Sequence, residues 1–185
     1  VQSPDQALQA GRGGGEFQSL LVDLPGGRLH ETIPAFHDTR KRFGALQQAI
    51  AKDRHNRARS ARPEIEFALS RAGLVGVILD AMAKGKIPER VTHNDTKFNN
   101  VMLDTLTGEA KCVVDLDTVM PGCALYDFGD MVRTTTSPTL EDELDLSQVK
   151  MHLPIFKQLA EGYLSSAGAF LTPAEKSLMA FSGKL

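Results

Sequence analysis

The chain has 185 residues, 42% hydrophobic and 24% charged, which are proportions of one globular domain rather than of a disordered or fibrous chain. Its 21 basic and 23 acidic side chains leave a formal charge of −2, which argues against a generic electrostatic nucleic-acid binder. No apolar run approaches the roughly 18 residues of a membrane span, and Cys112 and Cys123 form neither a CxxC metal pair nor a disulfide framework, so a soluble, cytoplasmic protein with no membrane partner is expected.

Taken in chain order, Ser3 reads as an N-cap with Pro4 at the first helical position. Gly13, Gly14 and Gly15 each cost that helix about 1 kcal/mol relative to alanine. A phosphate loop is disfavoured there, because no hydrophobic strand precedes the run and no GK[ST] follows it; a local break is expected. A turn at 24–27 and a loop with apolar anchors at 32–36 follow. Asp38 or Thr39 then caps a basic helix running to about residue 59, with Phe43, Leu46 and Ile50 as its buried stripe. Another helix is predicted over about 63–83. Strand character begins at Arg90. The short runs 100–104 and 110–117 flank Thr105, Leu106, Thr107 and Gly108, a hairpin signal. Helix returns near Tyr126, again after Pro154, and a third time at Thr172-Pro173-Ala174-Glu175, a capping-box pattern. The expected fold is mainly α with a small β-hairpin (α+β).

Chemistry concentrates in residues 91–130, where polar residues crowd between apolar strands. Asn100 opens one hairpin strand and Asp115 lies near the end of the other, so antiparallel pairing makes them neighbours. Strict alternation would place Lys111, Val113, Asp115 and Asp117 on one face, beside the loop that carries Asp95. Carboxylate and amide oxygens meeting at one open edge suit a hard cation such as Mg2+, which keeps waters and takes substrate phosphates as ligands. A carboxylate not consumed by the metal could act as a base. The plain structural alternative for Asp95 and Asn100 is a turn whose side chains bond their own backbone.

His93-x-Asp95-x-Lys97-x-x-Asn100 resembles the catalytic loop shared by protein kinases and the aminoglycoside phosphotransferase/choline kinase family, and Asp115, twenty positions after Asp95, resembles their metal-binding Asp. Within that family, residues 93–101, 114–122 and 126–130 look most like the N-acetylhexosamine 1-kinase group, with Asp23-Leu24-Pro25 and residues 31–37 in keeping. The resemblance implies that Asp95 is the base taking the proton of a sugar hydroxyl. Asn100 and Asp115 would hold Mg2+ on the phosphates of ATP. Asp117 would serve either as a second-metal ligand or as a loop brace. Lys97 would offset charge near the transferred phosphoryl, and His93 would hold the loop through hydrogen bonds. Asp127-Phe128-Gly129 spells the protein-kinase metal motif, yet it follows Asp95 by 32 residues and does not follow a hairpin strand. Asp127 is therefore read as a helix cap or as loop support.

The strand-rich lobe that would bind ATP through a glycine loop and a strand lysine is not legible before Val91. Val1 and the final residues read as cuts, and the chain is expected to be the C-terminal lobe of a protein-kinase-like fold, inactive alone. Choline, an aminoglycoside or methylthioribose are the alternative acceptors. A non-catalytic kinase-like binding module is the alternative of a different class, and a metal-dependent hydrolase is a distant third.

Overall fold

The computed structural model describes residues 3–139 and 142–185, so Val1, on which the expected N-terminal cut falls, lies outside the described residues. Helix α1, Pro4–Leu20, starts where Ser3 accepts a hydrogen bond from the Gln6 amide, and it passes through Gly13, Gly14 and Gly15 without a break. The expected interruption is therefore wrong, and the reason is packing. Helix α6, Leu153–Ala167, lies directly against α1. A Cβ at Gly11 would meet the Leu159 carbonyl, one at Gly15 would meet Ser166 Oγ, and one at Gly162 would meet the Leu8 carbonyl. At Gly14 a Cβ would come within 2.6 Å of Met131 Cε. Missing side chains let two backbones approach, and burial along that seam offsets the propensity cost of the glycines.

Gly162→Val is thus expected to cost at least about 3 kcal/mol, because its obstacle is backbone and cannot rotate away. Gly44, inside a helix but with nothing near its missing Cβ, gives the opposite expectation: Gly44→Ala should gain roughly 0.5–1 kcal/mol. Thermal melts of the two variants check both signs.

Helix α2, Thr39–Lys52, is capped by the Asp38 side chain, which accepts from the Lys41 amide. It stops well before residue 59. Asp53 takes a left-handed conformation (φ 31°), and its carboxylate collects the Arg57 and Ala58 amides at 2.8 and 3.1 Å. An Asx-type turn thus replaces the last two turns expected of the helix. The helix expected over 63–83 is two helices, α3, Arg62–Leu69, and α4, Val77–Ala83, separated by a turn through Gly73 and Gly76.

Two separate two-stranded antiparallel ribbons follow. Strands β2, Val101–Leu103, and β3, Ala110–Val113, form the expected hairpin, with an irregularity between Met102 and Leu103. Strand β1, Arg90–Thr92, instead pairs with β4, Met120–Gly122, a strand hidden in the sequence by Pro121. Helix α5, Ala124–Thr135, then enters the core, and α7, Pro173–Ser182, opens with the Thr172/Glu175 capping box. Buried Glu175 also takes a bidentate ion pair from Arg90 at 2.9 and 3.0 Å, tying β1 to α7. The core gathers Ala7, Ala10, Ile78, Leu125, Phe128, Met131, Leu159 and Tyr163, so α1, α5 and α6 form the slab on which both ribbons rest. The fold is mixed α/β. Among the described residues no helix is long and apolar enough to cross a membrane.

Candidate active site

Residues 93–97 form a loop between β1 and a 3-10 turn at Phe98–Asn100. His93 is fully buried. Its Nε2 lies 2.9 Å from the Val114 carbonyl, which can only accept, so Nε2 carries the proton. Nδ1 is then the acceptor, and the Asp95 amide approaches it at 3.3 Å. The ring therefore ties the loop to the end of the hairpin.

Asn94 adopts a left-handed backbone (φ 67°), sparsely populated outside glycine but tolerated by Asn. It is held from several sides. Its amide donates to Asp127 Oδ1 at 2.7 Å, and its side chain donates to the Thr118 carbonyl at 3.0 Å and accepts from Thr92 Oγ1 at 3.1 Å. The His93 amide reaches Asp127 Oδ2 at 2.9 Å, and Gln18 Nε2 reaches the same oxygen at 2.7 Å. Asp127 does not cap α5, whose N-cap is Cys123. Its fully buried carboxylate binds the loop backbone instead, and burial pushes its pKa upward against those three N–H donors. Tyr163 completes the chain by donating to Gln18 Oε1 at 2.5 Å.

On this frame Asp95 is 30% exposed, with Oδ2 held by Lys97 Nζ at 2.7 Å. Asn100 is 4% exposed. Its Nδ2 donates to the Asp95 carbonyl at 2.8 Å and to Oδ2 at 3.3 Å, which leaves Oδ1 as the acceptor end of the amide. The Val114 amide donates to the Asn100 carbonyl at 2.9 Å, which places Asp115 one residue beyond the backbone partner of Asn100.

The alternation expected through Asp117 fails. Strand β3 ends at Val113, Asp115 is left-handed (φ 66°), and Asp117 sits in a 3-10 turn at Leu116–Thr118. Past Val113 the chain turns to let His93 reach the Val114 carbonyl, so strand periodicity no longer says where Asp115 and Asp117 point. Both are exposed. Among the described residues no three His, Cys, Asp or Glu side chains are grouped to hold a metal ion. Asn100 Oδ1 and the Asp115 carboxylate are nevertheless hard-oxygen donors carried by residues close together at the end of the hairpin. That donor chemistry fits a cation that keeps waters and takes phosphate oxygens for its remaining ligands.

Asp95 also lines an open cavity of about 540 Å3 together with His37, Arg42, Tyr126, Asp130 and Arg133. Tyr126, Asp130 and Arg133 fall at i, i+4 and i+7 along α5, one helical face. Among the cavity residues, Tyr126 and Asp130 carry one sequence signal, their place in the 126–130 block, and His37 carries another, its place in the 31–37 segment, without ligand spacing. Arg42, Arg133 and Gln18 carry no site signal in the sequence.

Among known protein families, the model described as the phosphotransferase enzyme family matches residues 1–161, which span the loop, the hairpin and α5.

Proposed function

We propose that this chain, which belongs to the phosphotransferase enzyme family, carries the acceptor and metal side of an ATP-dependent transfer to a sugar hydroxyl, the anomeric hydroxyl of an N-acetylhexosamine. Membership of the family itself implies a kinase-like phosphotransferase that uses ATP, a divalent metal and a small-molecule acceptor. The observation that carries the finer reading is Asp95, a partly open carboxylate on a loop with a clamped backbone, facing a cavity large enough for a monosaccharide.

In this reading Lys97 holds Asp95 Oδ2 and leaves Oδ1 to accept the proton of the acceptor hydroxyl as it attacks. Lys97 also offsets charge near the transferred phosphoryl. Asn100 and Asp115 would hold Mg2+, with Asp117 in reserve for a second ion. Bound there, the metal would offset charge on the nucleotide phosphates. His93 and Asp127 keep the loop in register, so the chain's own contribution is chiefly positioning. Contacts to the adenine and to the inner phosphates are assigned to a second, strand-rich lobe, because the glycine run of the described residues lies inside α1.

Charge favours a neutral acceptor over the cationic alternatives. The described side chains of the cavity include Arg42, Arg133 and Lys184 against Asp95 and Asp130. Both carboxylates already have cation partners, in Lys97 and Arg133. Choline or an aminoglycoside would meet a surplus of positive charge, whereas a polyhydroxylated sugar would not.

The test is phosphorus NMR of full-length protein with ATP, Mg2+ and N-acetylglucosamine, where the sugar 1-phosphate is the expected product. Turnover confined to an amine acceptor would sink the sugar assignment. Asp115→Asn should raise the Mg2+ concentration needed for half-maximal rate by about tenfold or more, read from a magnesium titration of the same reaction.

A further inference from the structure

Residues 28–38 form a strap beside the catalytic loop and β4, and its residues line a cavity with Asn94, Met120 and Pro121. At one end Arg28 holds Glu89 through two hydrogen bonds, at 2.7 and 2.9 Å. At the other, Asp38 caps α2. Between them Ala35 bends back in a left-handed conformation (φ 59°), and its carbonyl accepts from the Asp38 amide at 3.0 Å. This bend delivers one side chain to the loop. His37 Nε2 lies 2.9 Å from the Asn94 carbonyl. The ring is also fixed in its plane. It stacks on Tyr126 with 5.3 Å between centroids and 20° between planes, and Phe36 lies against it at 4.6 Å.

The Asn94 carbonyl belongs to the peptide that leads into Asp95. The Asn94 amide and side chain are already held by Asp127, Thr118 and Thr92. His37 supplies the remaining grip, on the one backbone group whose plane also sets the direction of the Asp95 Cα–Cβ bond. A residue in a left-handed conformation keeps it only while its surroundings over-determine it. His37 also lines the cavity that Asp95 faces.

From this geometry we propose that His37 is a positioning residue for phosphoryl transfer: by donating from Nε2 to the Asn94 carbonyl it fixes the peptide that aims the Asp95 carboxylate at the acceptor. The inference rests on the reading of Asp95 as the base. A carbonyl only accepts, so the neutral ring carries its proton on Nε2 and leaves Nδ1 as an acceptor toward its surroundings.

His37→Phe keeps the stack on Tyr126 and removes the donor, while His37→Gln keeps an N–H donor at a similar reach. In full-length protein with ATP, Mg2+ and N-acetylglucosamine, His37→Phe is expected to lower kcat at least tenfold. Both KM values should stay within about threefold, and His37→Gln should recover kcat to within about threefold of the parent. An unchanged kcat, or a raised acceptor KM at constant kcat, overturns the proposal, since His37 would then be a cavity wall only. A nitrogen NMR spectrum of the parent, which needs no turnover and no variant that folds, should show the His37 ring protonated at Nε2. A neutral ring protonated at Nδ1 refutes the hydrogen bond. If the parent transfers phosphate to no sugar, the sugar reading fails separately. The Asp95 amide resonance then decides: it should shift in His37→Phe and return in His37→Gln, and an unmoved resonance counts against His37.

Discussion

Asp95→Asn is expected to lower kcat by about 10²–10⁴-fold, the usual contribution of a positioned general base, while leaving the fold intact. The side chains are nearly isosteric, so the cavity keeps its shape. The Asn100 contact at 2.8 Å runs to the Asp95 backbone carbonyl and survives the change. What is lost is the proton acceptor and the ion pair to Lys97. That pair is about one-third exposed on both sides, and solvent-screened pairs of this kind contribute about 0–1 kcal/mol. The melting temperature should therefore move by only a few degrees, and the acceptor should still bind. Steady-state kinetics with a parallel melt decide it. A kcat within tenfold of the parent would remove Asp95 from the base role. Such a result would favour a mechanism in which solvent takes the proton, or the non-catalytic binding module in which Asp95 only shapes a turn.

Much of this site is legible in the sequence because its residues are close along the chain. His93, Asp95, Lys97 and Asn100 span one loop and one turn, and antiparallel pairing alone brings Val114, the residue before Asp115, to Asn100. What escaped depends on long-range contacts or on broken periodicity. Gln18 reaches Asp127 across 109 residues and His37 reaches Asn94 across 57. Neither pair has a spacing rule. Alternation assigns Asp115 and Asp117 to a strand face, yet the strand ends at Val113 and the Val114 carbonyl meets His93 instead. The glycines of α1 misled for a related reason. Helix propensity is a local quantity, and it was overridden by the approach of α6, encoded at Gly162 far along the chain. The same holds for β4, whose Pro121 argues against a strand locally while its partner β1 stabilises the pairing.

Asp127→Ala is expected to be among the most damaging single changes in the chain, although Asp127 touches no substrate in the proposed mechanism. Removing the carboxylate leaves the His93 amide, the Asn94 amide and Gln18 Nε2 without their common acceptor. Each buried donor left unmade costs about 1–3 kcal/mol. Some of that is recovered where Gln18 turns away, so a net loss of about 3–5 kcal/mol is reasonable, or roughly 6–20 °C in melting temperature at this chain length. Activity should fall with it, because the left-handed Asn94 loses one of its restraints directly before Asp95.

Asp127→Asn separates hydrogen bonding from charge. Its amide offers one acceptor oxygen and one donor group to three donors, so at least one N–H is opposed, at about 1–3 kcal/mol. The pH dependence then has a definite sign. Burial raises the folded-state pKa of Asp127 above its unfolded value. Its favourable contribution is therefore fully present below the ordinary carboxylate range, about pH 4, and is lost as pH rises through the folded-state pKa. The asparagine does not titrate. The melting temperature of the parent minus that of Asp127→Asn should be widest at acid pH and narrow as pH rises. A difference that widens instead would mean that the three N–H donors outweigh burial and hold the carboxyl below its unfolded pKa. The loop clamp would then be an anion site assembled from neutral donors, and mild acid alone should loosen Asn94 and Asp95 before it unfolds the domain.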